Sequence, residues 1–322
     1  MRNKVKDVLY CNVDREKILN VSPIFNHENL WYFYEWLVER YKIHLKKDVE
    51  KMLPPWTTDK VLLKYRFTNV RREHDRETKW LINNICLNSN LSYENKLLNI
   101  ILFRLFNKSR TIEIIGLADF EKLNFDEILK KISEFRESNE KYVWFSNAFF
   151  TSGPKSVSNK LFGEGDVVLN VIKLVERYNK LGIIDKIKLS GSQKEVYDNL
   201  LSLPGIGSFL AYQIFVDFSY LSEFPFSENE FVVAGPGCKK GLNLLFDDFG
   251  GLRYEEALFW IRDNQNRLFQ QFGYNSYNLF SDLPEEERYL NLMSLENCMC
   301  EISKYIRAIN GEGRPRIRYK LK

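Results

Sequence analysis

Three acids, Asp217, Glu228 and Glu230, follow a tight turn made by Leu203-Pro204-Gly205-Ile206-Gly207. A carboxylate held against a sugar can stabilise a developing oxocarbenium ion, or orient a water toward the anomeric carbon. Asp217 sits in the apolar run Ile214-Phe215-Val216-Asp217-Phe218, where burying an acid is costly without a partner or a role. The plainer role for each acid is a surface charge or a helix cap. Three further groups carry binding chemistry. Ala234-Gly235-Pro236-Gly237-Cys238-Lys239-Lys240-Gly241 can present backbone N–H groups to a phosphate or to the edge of a base, or simply form a rigid turn into a helix. Arg66-Phe67-Thr68-Asn69-Val70-Arg71-Arg72, with Asp75 and Arg76, interleaves guanidinium groups, rings and an amide. Arg66, Asn69, Arg72 and Arg76, with Gly235 and Gly237, are candidates for a base pocket, or else a salt-bridged helix entry. Arg314, Arg316 and Arg318 stand in a basic C-terminal run that suits phosphate contact, or is a solvated tail.

The elements that must position these groups read as helices. Apolar spacing predicts helices over Asn29–Met52, Asp75–Leu87, Ser92–Asn107, Phe125–Arg136 and Asp166–Lys180. It predicts others over Ser192–Ser202, Ser208–Tyr220, Lys240–Phe246, Tyr254–Phe272 and Glu286–Ile309. Ser92 is placed to cap the helix it precedes. Phe231-Val232-Val233 is the best strand signal. The expected fold is all-α, in one compact domain or two lobes. Residues 1–54 form a helical extension, 55–313 the main domain and 314–322 a basic tail.

Two glycines around Ile206 let the chain reverse between helices, and the second helix then starts with unpaired N–H groups and a positive dipole end. This is the helix-hairpin-helix pattern of proteins that grip a DNA backbone, with Gly205, Ile206, Gly207 and Ser208 at the contact and Lys239 and Lys240 adding charge. An ordinary turn between packed helices would use the same residues.

Bulk properties limit the alternatives. The 322 residues carry a net charge of +4, 44% hydrophobic and 15% aromatic residues, which is a globular composition. The five cysteines, Cys11, Cys86, Cys238, Cys298 and Cys300, have no zinc or cluster spacing, so reduced thiols, a cytoplasmic location and no bound metal are expected. No signal peptide and no bilayer-spanning run is apparent. No Gly-Lys-Ser/Thr run occurs, which argues against an ATP-dependent kinase.

Taken in order, Arg66–Arg72 with Asp75-Arg76, Leu203–Gly207 through Ala211-Tyr212-Gln213-Ile214 to Asp217, Ala234–Gly237 with Lys240-Gly241, and Cys300-Glu301 to Lys304-Tyr305 resemble one family over residues 55–315. It is the helical group labelled alpha-glutamyl/putrescinyl thymine pyrophosphorylase, related to the helical domain of 5-hydroxymethyluracil DNA kinases and to the helix-hairpin-helix DNA glycosylases. The resemblance implies work on hypermodified bases of phage DNA, with a nucleotide flipped out of the duplex. In the glycosylases a catalytic acid lies some way beyond the hairpin, the window here holding Glu228 and Glu230. Their strand-cleaving members carry a lysine where this chain has Phe209.

The leading expectation is therefore a monofunctional DNA glycosylase, without lyase activity or cofactor, that removes a modified pyrimidine from double-stranded phage DNA in host defence. A transferase that builds hypermodified thymine and a non-catalytic reader of modified DNA are the alternatives. No membrane and no protein partner are expected.

Overall fold

The computed structural model describes residues 13–146, 152–163, 165–313, 315 and 318. It is all-α apart from one small ribbon. Along the chain come α1 (Arg15–Asn20), α2 (His27–His44), which runs on into a π-turn over Leu45–Val49, and α3 (Lys60–Lys64). A 3-10 turn, Arg72–His74, precedes α4 (Arg76–Leu81) and a second π-turn, Ile82–Cys86. Then follow α5 (Tyr93–Phe106), α6 (Ser109–Ile115), α7 (Phe125–Ser138), α8 (Ser152–Phe162) and α9 (Val167–Lys180). Next are α10 (Ile183–Leu189), α11 (Gln193–Leu201), α12 (Ser208–Phe218), α13 (Pro236–Leu245), α14 (Tyr254–Gln271), α15 (Ser276–Leu279) and α16 (Leu292–Ile309). The ribbon pairs β1 (Ile24–Phe25) with β2 (Phe246–Asp248), antiparallel.

The expected helices form where caps and apolar spacing agree. The Ser92 hydroxyl accepts from Asn95 N–H at 3.2 Å, as its position predicts, and α5 ends on a left-handed Asn107. Asp166 caps α9 and Asn291 caps α16 in the same way. Three expectations fail locally. The helix expected from Glu286 starts only at Leu292, behind its Asn291 cap. Phe231 and Val232 are buried in an extended stretch outside any strand, so their apolar character serves packing rather than pairing. The helix expected from Lys240 starts at Pro236, because proline at a first helical position loses no needed hydrogen bond.

The chain divides into two compact units. One unit holds residues up to Asp75 and from Glu228 onward. The other is Arg76–Ser227. This corrects linear boundaries at 54 and 313. α2 cannot be a separate extension: Phe33, Trp36, Leu37 and Tyr41 are buried, and α2 packs on α13 and α16 from the far end of the chain.

In the discontinuous unit, α13 lies directly on α16. A Cβ on Gly241 would stand 2.0 Å from the Met299 carbonyl oxygen, and one on Gly237 would stand 2.9 Å from Cys300 Sγ. Only hydrogen fits at either place. In the continuous unit, α12 and α5 run through the core, with Ala211, Ile214, Phe215 and Val216 buried on one and Ile101, Leu102 and Leu105 on the other. Replacing Gly241 with alanine overpacks the α13–α16 contact. The expected loss is about 1–3 kcal/mol of stability, read as a shift of the urea midpoint at unchanged slope.

Candidate functional site

The loop 66–75, the turn at 234–237 and the side of α16 come together within the discontinuous unit. α16 holds the loop by its backbone. Asn297 Nδ2 donates to Thr68 Oγ1 (3.1 Å) and Asn69 O (3.4 Å), Thr68 N–H donates to a Glu301 carboxylate oxygen at 3.4 Å, and the Cys298 thiol faces Val70 O. Arg71 is buried, donating to the carbonyls of Glu287 and Tyr289 and pairing with Glu73. Its role is to anchor the loop.

Asn69 is committed too. Its amide nitrogen donates to His74 O (2.9 Å) and Asp75 Oδ1 (3.0 Å), and its oxygen accepts from Arg40 at 2.7 Å. Both N–H groups and one lone pair of that side chain are used inside the protein, so it folds the loop. Arg66 is exposed. Arg72 is buried, and its positive charge acts on both Glu296 and Asp75.

Glu296 is the group that composition and spacing did not single out. It lies 4% exposed on α16, one turn before Cys300. Gly235 N–H donates to its Oε1 at 3.3 Å, and a Cβ at Gly235 would stand 3.2 Å from that same oxygen. Burial pushes the carboxyl up to about 7, against the opposing pull of Arg72, the Gly235 N–H and the Cys300 thiol. An acid that exchanges its proton near neutrality beside a guanidinium is suited to general acid–base work. Beside it, Ala234 N–H donates to Glu255 Oε1 at 3.0 Å. Glu255 is also buried, which raises its pKa, and its Oε2 has no hydrogen-bond partner among the described residues. The glycine–proline turn thus feeds two successive N–H groups to two buried carboxylates. It is not an open phosphate cradle. A buried acid in an apolar helical stretch was the available signal, and it was read only at Asp217.

The other candidates fall elsewhere. Asp217 is fully buried in the continuous unit, and both oxygens are engaged by Arg104, which also donates to Asn107 at 2.7 Å. This closed pair is core structure, and no face of the acid is left for a sugar. Glu228 accepts from Asn291 Nδ2 at 2.7 Å, and burial raises its pKa. Glu230 is exposed, and its charge acts on Arg15. Arg76 is exposed and pairs with its neighbour Glu77. Lys239 lies over the Tyr254 ring and Lys240 is exposed. Arg318 is exposed in an isolated bridge with Tyr65, while Arg314 and Arg316 lie outside the described residues.

The hairpin turn forms as its glycines predict. Gly205 has φ +84, and a Cβ there would press on the backbone of Gly153 and Pro154. Ile206 is buried, and Tyr178 donates to the Pro204 carbonyl. Gly207 is the N-cap of α12, without a side-chain cap, and a Cβ on it would meet open space. Ser208 and Phe209 beside it are exposed.

The family described as 5-hmdU DNA kinase, helical domain, matches residues 27–314. This chain belongs to that family. A curated relative, the 5-hmdU DNA kinase of Bacillus phage SP10, is 29% identical over 321 residues, covering 93% of this chain. The alignment takes in 48% of that relative, so the chain spans about half its length. No solved structure matches. The kinship with the helical domain of these kinases, expected from the ordered motifs, is therefore established, and so is the bacteriophage and modified-base context of the relative. The glycosylase expectation is overturned: both matches are described as a kinase, an enzyme of group transfer and not of glycosidic hydrolysis. With it fall Asp217, Glu228 and Glu230 as acids attacking a sugar, together with host defence by base removal. Among the described residues no helix is long and apolar enough to cross a membrane, and Cys86, Cys238, Cys298 and Cys300 are free thiols.

Two variants separate core from surface. Asp217→Asn leaves the Arg104 charge buried without its counterion and should cost about 3–5 kcal/mol in urea unfolding, whereas Glu230→Gln should stay within about 0.5 kcal/mol of the parent. Glu296 predicts a pH dependence. Its folded pKa lies above the unfolded one, so the folded chain holds the extra proton, and its contribution is lost as pH rises from about 4.5 to about 7. Glu296→Gln should remove that decline, on the order of 3 kcal/mol by pH 8, in urea midpoints measured across the series.

Proposed function

We propose that this chain is a transferase that builds a hypermodified thymine in phage DNA, acting on a phosphorylated 5-hydroxymethyluracil in the cytoplasm of the host. The observation that carries the proposal is Glu296, a buried carboxyl lifted to about 7 that accepts from the Gly235 N–H and feels the charge of buried Arg72, in a chain of the 5-hmdU DNA kinase helical family. A pyrophosphate ester on the 5-methylene makes that carbon an electrophile. An amine attacks it, the C–N bond forms, and the C–O bond breaks with its electron pair leaving on pyrophosphate. Glu296 takes the proton that the ammonium form of the amine must lose. Arg72 offsets the negative charge of the departing phosphate.

DNA is the expected partner, with the uncapped start of α12 as the phosphate contact. Gly207 suits a test because a Cβ added there meets no protein atom within 4 Å. Gly207→Asp should weaken binding to duplex DNA by about tenfold or more without lowering the urea midpoint, since aspartate caps a helix start at least as well as glycine. Unchanged affinity removes the turn from the interface.

The reaction is tested with DNA carrying 5-(pyrophosphoryloxymethyl)uracil and an amine such as putrescine, followed by mass spectrometry of the nucleosides. The expected result is loss of pyrophosphate and gain of the amine, slowed about 100- to 10,000-fold by Glu296→Gln. The name of the SP10 relative favours a second reading, transfer of phosphate from ATP to the hydroxymethyl group. Phosphate gain on 5-hydroxymethyluracil DNA, with no amine gain on the activated base, would replace the first reading with the second.

A further inference from the structure

His44 ends α2, and each of its ring nitrogens faces a carboxylate. Nδ1 lies 3.1 Å from Asp48 Oδ2, and Nε2 lies 3.8 Å from Asp282 Oδ2. A neutral imidazole carries one N–H, which the shorter contact uses as a hydrogen bond. The longer contact is favourable when a cation stands at Nε2, and a second ring proton or a metal ion supplies one equally well. A metal with bonds of about 2.0–2.2 Å to nitrogen and oxygen spans such a gap.

The surroundings have the form of a metal centre's outer layer. Asp48 holds the far nitrogen of His44, and Tyr41 donates to the far oxygen of Asp282 at 2.7 Å, so these two ligands are oriented through the atoms they do not offer. The His74 ring stacks on His44 with centroids 3.9 Å apart and planes 17° apart, so the rings must turn out of this stack for both to ligate one ion. One ligand atom from each of His44, His74 and Asp282 lies within 4.8 Å of the others. The Asp282 side chain is 15% exposed and leaves the site a narrow opening to solvent.

We propose that His44, His74 and Asp282 bind a divalent transition-metal ion, with water completing the coordination. Two imidazoles and one carboxylate suit zinc. The ion ties the end of α2 and the segment at 282 to the turn Arg72–His74. It thereby pins the short turn that carries Arg72, and it stands independently of the reaction proposed above. The sequence search for metal followed cysteine spacing. Ligands at positions 44, 74 and 282 have no local spacing to find.

The full chain, stripped with chelator and titrated with Co²⁺ alone, tests this. The expected result is saturable one-to-one binding with visible ligand-field bands, displaced by Zn²⁺. Asp282→Asn keeps the shape and the Tyr41 contact, and it should weaken Co²⁺ about tenfold or more, as should His74→Ala. Asp48→Asn should weaken it about 10- to 100-fold. Circular dichroism checks that each variant is folded. Absence of saturable binding in the parent chain overturns the site and makes a proton the cation of the His44 pair. Parent-like affinity in both the Asp282 and His74 variants overturns it as well.

Discussion

The discontinuous unit is organised by the contact between α13 and α16. Gly237 and Gly241 bring the backbone of one helix against Cys300 and Met299 of the other, a separation that a single methyl group would forbid. That closeness delivers the N-terminus of α13 to Glu296 and the preceding residue to Glu255. Two acids that would otherwise be expensive to bury each gain a backbone donor from the same turn. The donors only partly compensate the loss of water, so Glu296 keeps its proton to near neutrality. The raised pKa of Glu296 thus follows from a packing constraint.

α16 serves a second purpose along the same face. Through Asn297, Cys298 and Glu301 it fastens the backbone of the loop 66–75, and Asn69 folds that loop on itself. Most polar side chains there are consumed in holding the loop. Arg72 is what the loop delivers, buried where its charge acts on Glu296. Family membership fits this division of labour, since the match runs across the loop, the turn and α16 alike.

The continuous unit shows the same economy with a different outcome. Asp217 and Arg104 satisfy each other in the middle of an apolar core, so an acid that looked chemically poised is structural. The hairpin turn is split by role. Gly205 is demanded by backbone conformation and by the nearness of Gly153 and Pro154, while Gly207 leaves open space at the start of α12.

Much of this architecture was legible in the residues themselves. Apolar spacing located α5, α9, α11, α12 and α14, and the cap at Ser92 acts over three residues, within reach of a linear reading. The ordered motifs led to the correct family, because local sequence signatures survive without knowledge of the fold. Which charges are used up, and which are left reactive, was decided only in three dimensions. Arg104 lies 113 positions from Asp217 and Gly235 lies 61 from Glu296. The protonation of a carboxyl depends on the water and charge around it, and those are set by whatever the chain brings back from far away.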